Sequence, residues 1–308
     1  MAGPPLKISL RELDSRLDEF ATVYLASKSP ETVGTYRRAL NEFQRWFATQ
    51  KGRFLFRVED VEAYKSYLME TRGLHQVSVS TYLTALRRFS QYLVDVGLLD
   101  ENSARSVSGN RRPTTHSRDV LNEREIDRLL QALDETTPIG KRDTAIVYSM
   151  LFAGLSEIEI VRADVEDLEQ TLLGWYLRVQ GKGRLVKDQQ VVLDPPAMDK
   201  IRSYLSTRSS LKPSSPLFAS HGHRSEGDRL NTRSVRSRIR GYLTAAKLLR
   251  PGVTPHSLTH TAALIWLNDG LDVEEVKQRM RHGTLDTTMI YFRKKGLLKR
   301  DGATTIHE

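Results

Sequence analysis

Four residues near the end of the chain can do chemistry together. His256 and His260 stand four apart, His282 follows 22 residues later, and Tyr291 lies nine residues beyond that. A phenol attacks well only as phenolate, and its ordinary pKa near 10 means that it needs local help. Imidazoles exchange protons near neutrality and are the usual source of such help. A fifth candidate is Lys182, flanked by Gly181 and Gly183. An ammonium on a turn can donate a proton to a leaving oxygen. Each piece alone is weak, since single histidines are mostly structural and Gly-Lys-Gly is a common turn.

The rest of the chain excludes several other chemistries. There are no cysteines, so disulfides, thiolate nucleophiles and cysteine-based zinc sites are ruled out. His221 and His223 lack a neighbouring carboxylate pair, so no metal is expected, and no cofactor motif is present. No run of apolar residues is long enough to span a bilayer, so no membrane partner is expected. The start of the chain has no secretion-signal pattern, which makes a cytoplasmic, nucleoid-associated location the expectation.

Length and charge point toward a polyanion. The 308 residues suffice for two domains, and the net charge is +9 with a pI of about 9.7. A polyanion, nucleic acid among the candidates, is the natural partner for such a chain, although many soluble basic proteins bind nothing acidic. Residues 108–118 hold three arginines (Arg111, Arg112, Arg118) and no carboxylate, which makes this the most basic stretch for its length.

The elements that must position these residues read mainly as helix. Ser29-Pro30 is a helix start, with a hydroxyl cap followed by proline at the first position. Val33, Tyr36, Leu40, Phe43 and Phe47 then recur at helical spacing. A second helix is expected over Val58–Met69, and a third from Ser80 to Gly97. Their remaining faces carry Arg37, Arg38, Arg87 and Arg88, suited to phosphate contacts. Residues 108–118 read as a linker between a helical domain (8–107) and a second domain (119–308). Asn122 is expected to cap a helix running to Leu155. Trp175–Gln180 and Val186–Leu193 read as a β-hairpin around Gly181-Lys182-Gly183. Residues 195 onward return to helix, with Arg233 and Arg236 on a basic stretch over Asn231–Leu249. Asp286 is placed to cap the short helix carrying Tyr291. The fold class is mainly α with a small β-hairpin or sheet.

The order of these motifs resembles the tyrosine recombinases, or phage integrases, and especially their Xer-like members. The family pattern His-x-Leu-Arg-His-Thr reads here His256-Ser257-Leu258-Thr259-His260-Thr261. Leu-Gly-His followed by Thr-Thr-x-x-Tyr reads Met280-Arg281-His282 and Thr287-Thr288-Met289-Ile290-Tyr291. The Gly-Lys-Gly hairpin also matches. The resemblance spans the chain and implies a helical core-binding domain joined to an α+β catalytic domain, forming a C-shaped clamp on duplex DNA. It further implies self-association on DNA or pairing with a partner recombinase, with a C-terminal segment carrying Leu297, Leu298 and Ile306 as the candidate contact. It assigns Tyr291 as nucleophile toward a phosphodiester, Lys182 as general acid, and His256 and His282 as the supporting pair.

Two arginines of that pattern are absent. One position is Thr259. The other falls at Ser156 when Gly154-Leu155-Ser156-Glu157-Ile158 is aligned without a gap to Gly-Leu-Arg-Ile-Ser-Glu-Leu. A two-residue deletion, the favoured alignment, instead pairs Ser156-Glu157-Ile158 with Ser-Glu-Leu. A phosphoryl transition state gathers charge on its equatorial oxygens, and bidentate guanidinium groups hold it. By analogy, each clamping arginine is worth roughly 10³–10⁵ in rate. The expectation is therefore a DNA-binding member of the family, acting as repressor, accessory or architectural protein, with cleavage lost or strongly weakened. Two alternatives remain open. One is an active recombinase with a modified clamp, for which Arg281, standing where the family has glycine, is the possible substitute. The other is a nicking-closing activity.

Overall fold

A computed structural model describes residues 8–50, 55–109, 119–181 and 183–292, with the side chains of Asp286 and Phe292 excepted. Lys182, Arg111, Arg112 and the tail residues Leu297, Leu298 and Ile306 lie outside this set. The chain clusters into two compact units, residues 1–114 and 115–308.

The first unit is helical. It contains α1 (Leu10–Glu19), α2 (Pro30–Thr49), α3 (Val58–Ser66) and α4 (Gln76–Asp95). α1 begins with a capping box, in which the Glu12 carboxylate accepts from the Ser9 N–H at 2.8 Å. Ser29 caps α2 and Pro30 occupies its first turn. α4 starts at Gln76, four residues before the expected Ser80, because His75 supplies the cap through Nδ1. The apolar stripes converge on Phe20, Phe43, Tyr64, Leu68, Leu86 and Phe89, all fully buried. Phe43 meets Tyr64 edge-on at 5.2 Å between centroids, a favoured aromatic geometry.

The second unit contains α5 (Glu123–Gln131), α6 (Pro138–Phe152), α7 (Glu157–Arg162), β1 (Leu168–Thr171), β2 (Gly174–Val179), β3 (Gln189–Leu193), α8 (Pro195–Leu205), α9 (Thr232–Ala245), α10 (Ser257–Asn268), α11 (Val273–Met280) and α12 (Leu285–Phe292). Asn122 caps α5 as expected. The single helix expected to run on to Leu155 is instead two. Thr137 caps a new helix at Gly140 N, and Pro138, which cannot continue a preceding helix, opens it. The strands form an antiparallel sheet in the order β1-β2-β3, with Leu177 paired to Val191. β1 is an addition to the expected hairpin. β3 starts at Gln189, not Val186, because the Lys187 ammonium is drawn to Asp164 and Asp167 instead of entering the ladder. Leu177, Val179, Val191 and Leu193 turn inward to the core.

α6 and α10 pack together and are buried on most sides. α6 ends at Gly154, which takes a φ of +61°, and a Cβ there would lie 2.6 Å from the Trp266 ring. Glycine is required on both counts. This turn lets the chain pass beneath α10 and start α7.

Candidate active site

Tyr291, on α12, is 2% exposed and belongs to a small apolar cluster with Ala262, Trp266, Val276 and Met280. Its hydroxyl is hydrogen-bonded to Nδ1 of His260. The His282 ring stacks on the phenol at 5.9 Å and 9°. His282 Nδ1 is in turn hydrogen-bonded to the buried Thr288 hydroxyl at 2.9 Å. α12 begins at Leu285, so Asp286 falls inside its first turn and Thr284 stands at the position before it.

His256 stands at the start of α10, edge-on to His260 at 4.7 Å. Its Nδ1 pairs with Glu157 Oε2 at 3.0 Å, and Glu157 Oε1 accepts from Arg236 Nε at 3.2 Å. Burial alone would push the Glu157 carboxyl up. The hydrogen bond and charge of His256, helped by Arg236, outweigh it and hold the group down to about 2. Glu157 is therefore an anion at neutral pH, buried at the first position of α7.

The two residues expected at the clamp positions face the protein. The Thr259 hydroxyl donates to the Leu155 carbonyl at 2.8 Å, and Thr259 is 4% exposed. Ser156 caps α7, its N–H and Oγ both donating to Glu159 Oε2 at 2.7 Å. Arg281 closes α11 in the left-handed region at φ 57°, which a non-glycine residue occupies only at some cost. Its Nε donates to Glu159 Oε1 at 2.7 Å and one terminal nitrogen to Glu159 Oε2 at 2.9 Å. That same nitrogen reaches the Gly154 carbonyl at 2.9 Å, and the other reaches the Arg279 carbonyl at 2.5 Å. The Arg281–Glu159 pair is almost fully enclosed, at 8% and 5% side-chain exposure.

The described residues beside Lys182 lie close to this pair. A Cβ on Gly181 would sit 3.9 Å from Glu159 Oε1, and Arg162 donates to the Gly181 carbonyl at 3.0 Å. Among the basic candidates, Arg37, Arg38, Arg88, Arg233 and Arg236 are exposed. Arg87 is half-buried and donates to the carbonyls of Ala104 and Val107 at 3.0 and 2.6 Å. Among the described residues no cluster suited to a metal ion occurs, and no helix is long and apolar enough to cross a membrane.

Sequence reasoning named His260 beside His256 without assigning it a role, and did not single out Glu157 or Glu159. His260 was legible as the partner of His256 one helical turn on. The glutamates gave less signal, although Ser156 followed three residues later by Glu159 is a capping-box pattern.

The profile of the phage integrase family matches residues 119–296, and that of its N-terminal SAM-like domain matches residues 16–98. The tyrosine recombinase XerC of Pelotomaculum thermopropionicum is 28% identical over 291 residues, covering 89% of this chain and 92% of the relative. The tyrosine recombinase XerD of Vibrio cholerae is 29% identical over 84% of each chain. Among solved structures, the XerH site-specific recombinase bound to a palindromic difH substrate aligns at a TM-score of 0.72 and 17% identity. The alignment covers 94% of this chain and 82% of that one. A lambda integrase (residues 75–356) dimer bound to a COC′ core site aligns at 0.66 and 13% identity, covering 89% of this chain and 96% of that one. These structures share the mainly helical fold with its small sheet. The chain belongs to the phage integrase family and is an Xer-like tyrosine recombinase homologue.

Proposed function

We propose that this protein binds duplex DNA at specific sites with both of its units and that phosphotyrosyl cleavage by Tyr291 is strongly weakened. Members of the family break and rejoin DNA. The observation that carries the reading is the inward commitment of every polar group at the clamp. Thr259 holds Leu155, Ser156 holds Glu159, and the nearest arginine, Arg281, is engaged with Glu159 and two carbonyls. Arg281 would have to abandon a buried carboxylate to reach a phosphate, so it is a poor substitute. The fold supports the ungapped alignment over the deletion. Ile160, fully buried, then takes the place of the motif's leucine, and Glu159 that of its glutamate.

Phosphate contacts on this reading come from Arg37, Arg38, Arg88 and Arg233, with Arg111 and Arg112 of the linker, and self-association on DNA follows the family pattern. Repression, accessory binding or architecture are the roles that need only this. Retention of the Tyr291–His260–His282 cluster favours residual cleavage as the second reading, with Lys182 as proton donor.

The test starts by selecting the target site from a random duplex pool. A nicked version of that site then traps any covalent adduct. Tight site-specific binding without adduct supports the proposal. An adduct formed at a rate typical of active recombinases, and lost in Tyr291→Phe, would overturn it. Thr259→Arg alone should not restore cleavage, because Ser156 leaves the second guanidinium missing.

A further inference from the structure

The Glu157 carboxylate bridges two basic side chains from separate elements. His256 belongs to the start of α10 and Arg236 to the exposed face of α9. One carboxylate oxygen faces each of them, which is how two non-bridging oxygens of a phosphate would divide between them. The site is bracketed by the clamp positions: Ser156 precedes Glu157, and Thr259 stands one turn beyond His256 on α10. Glu157 is 7% exposed on its side chain, whereas Arg236 is 59% and His256 29% exposed, so the two basic groups reach solvent and the carboxylate is built in.

We propose that His256 and Arg236 form a seat for a DNA backbone phosphate, occupied in the free protein by the Glu157 carboxylate as an internal competitor. This rests on the reading that the chain binds duplex DNA. The resemblance already places His256 near the phosphate; the new elements are Arg236 as its partner and Glu157 as the residue that withholds the seat. A phosphodiester entering the seat must displace Glu157, so the seat contributes little to binding while that carboxylate is present.

The experiment measures affinity for a random-sequence duplex by fluorescence anisotropy across a series of salt concentrations. Neutralising the competitor in Glu157→Gln should tighten binding by about three- to tenfold and steepen the salt dependence by about one phosphate contact. Adding Arg236→Gln to that variant should remove the gain and restore the original slope. Glu123→Gln, which neutralises an exposed carboxylate elsewhere in the same unit, should move the slope by far less. The proposal fails if Glu157→Gln leaves the slope unchanged, if the double variant keeps the gain, or if Glu123→Gln gives an equal change. Should Glu157→Gln not fold, Glu157→Asp keeps the charge but shortens its reach. An intermediate slope then supports the seat, and a wild-type slope overturns it. A chain that binds no duplex in any of these backgrounds fails the earlier reading. One that binds duplex but ignores Glu157 fails this one.

Discussion

The hydroxyl of Tyr291 and the Nδ1 of His260 are hydrogen-bonded inside the protein, between α12 and α10. The group with nucleophilic potential is thus also a structural link between two helices. Tyr291→Phe keeps the ring in its apolar cluster and removes this bond. A loss of about 1 kcal/mol in unfolding free energy is expected, read from urea melts. A neutral or stabilising effect would show that the bond contributes nothing to holding α12.

The Arg281–Glu159 pair gives a second prediction. Arg281→Gly relieves the left-handed backbone but strands a buried carboxylate. Uncompensated buried charges cost more than backbone strain: about 3–5 kcal/mol against about 1–2. The variant should therefore be destabilised, although glycine suits the backbone. Arg281→Gly combined with Glu159→Gln should recover a large part of the loss. A single variant as stable as the parent would mean that the pair is dispensable.

Glu157 makes stability depend on acid. Its carboxyl is held down to about 2 from an ordinary 4.5. A group lowered by folding contributes its stabilisation fully above its unfolded value and loses it as pH falls toward its folded one. The window is therefore pH 4.5 to 2, and the contribution is at most about 3 kcal/mol. Glu157→Gln should flatten that part of the acid-unfolding curve, measured by denaturant melts at stepped pH. An unchanged acid profile would show that Glu157 is not a source of it.

Arg87 and Arg88 are neighbours with different expected effects. Arg88 is exposed, so Arg88→Ala should reduce the salt slope of duplex binding by about one at unchanged stability. Arg87 ties down the carbonyls of Ala104 and Val107. Arg87→Ala should lower the melting temperature of the first unit and leave the slope nearly unaltered. A reversal of the two phenotypes would mean that Arg87 leaves its carbonyls for DNA.

Much of this architecture was legible from local signals. The Ser29-Pro30 and Asn122 caps, the stripe through Phe43 and the hairpin glycines act within a few residues, so sequence reveals them. Where the reading slipped, a distant or less usual partner decided the outcome. Lys187 leaves the strand for Asp164 and Asp167, which are more than twenty positions away in one case and twenty in the other. His75, an uncommon cap, starts α4 early. The break before Pro138 is local and readable, since proline cannot continue a preceding helix. At the site, the absence of arginine at positions 156 and 259 was plain from residue identity. What the remaining groups do instead was not. Whether Arg281 points to a phosphate or to Glu159 depends on a contact across 122 positions, which no local pattern encodes.

The turn that follows α6 bears on how readily a guanidinium clamp can be built into this site. Its carbonyls at Gly154 and Leu155 are satisfied by Arg281 and Thr259, respectively. Putting arginine at 259, or glycine at 281, leaves one of those carbonyls without its donor before any benefit to cleavage appears. A directed-evolution library that samples one position at a time would meet a fitness valley there. Only variants changed together at 156, 259 and 281 would step across it.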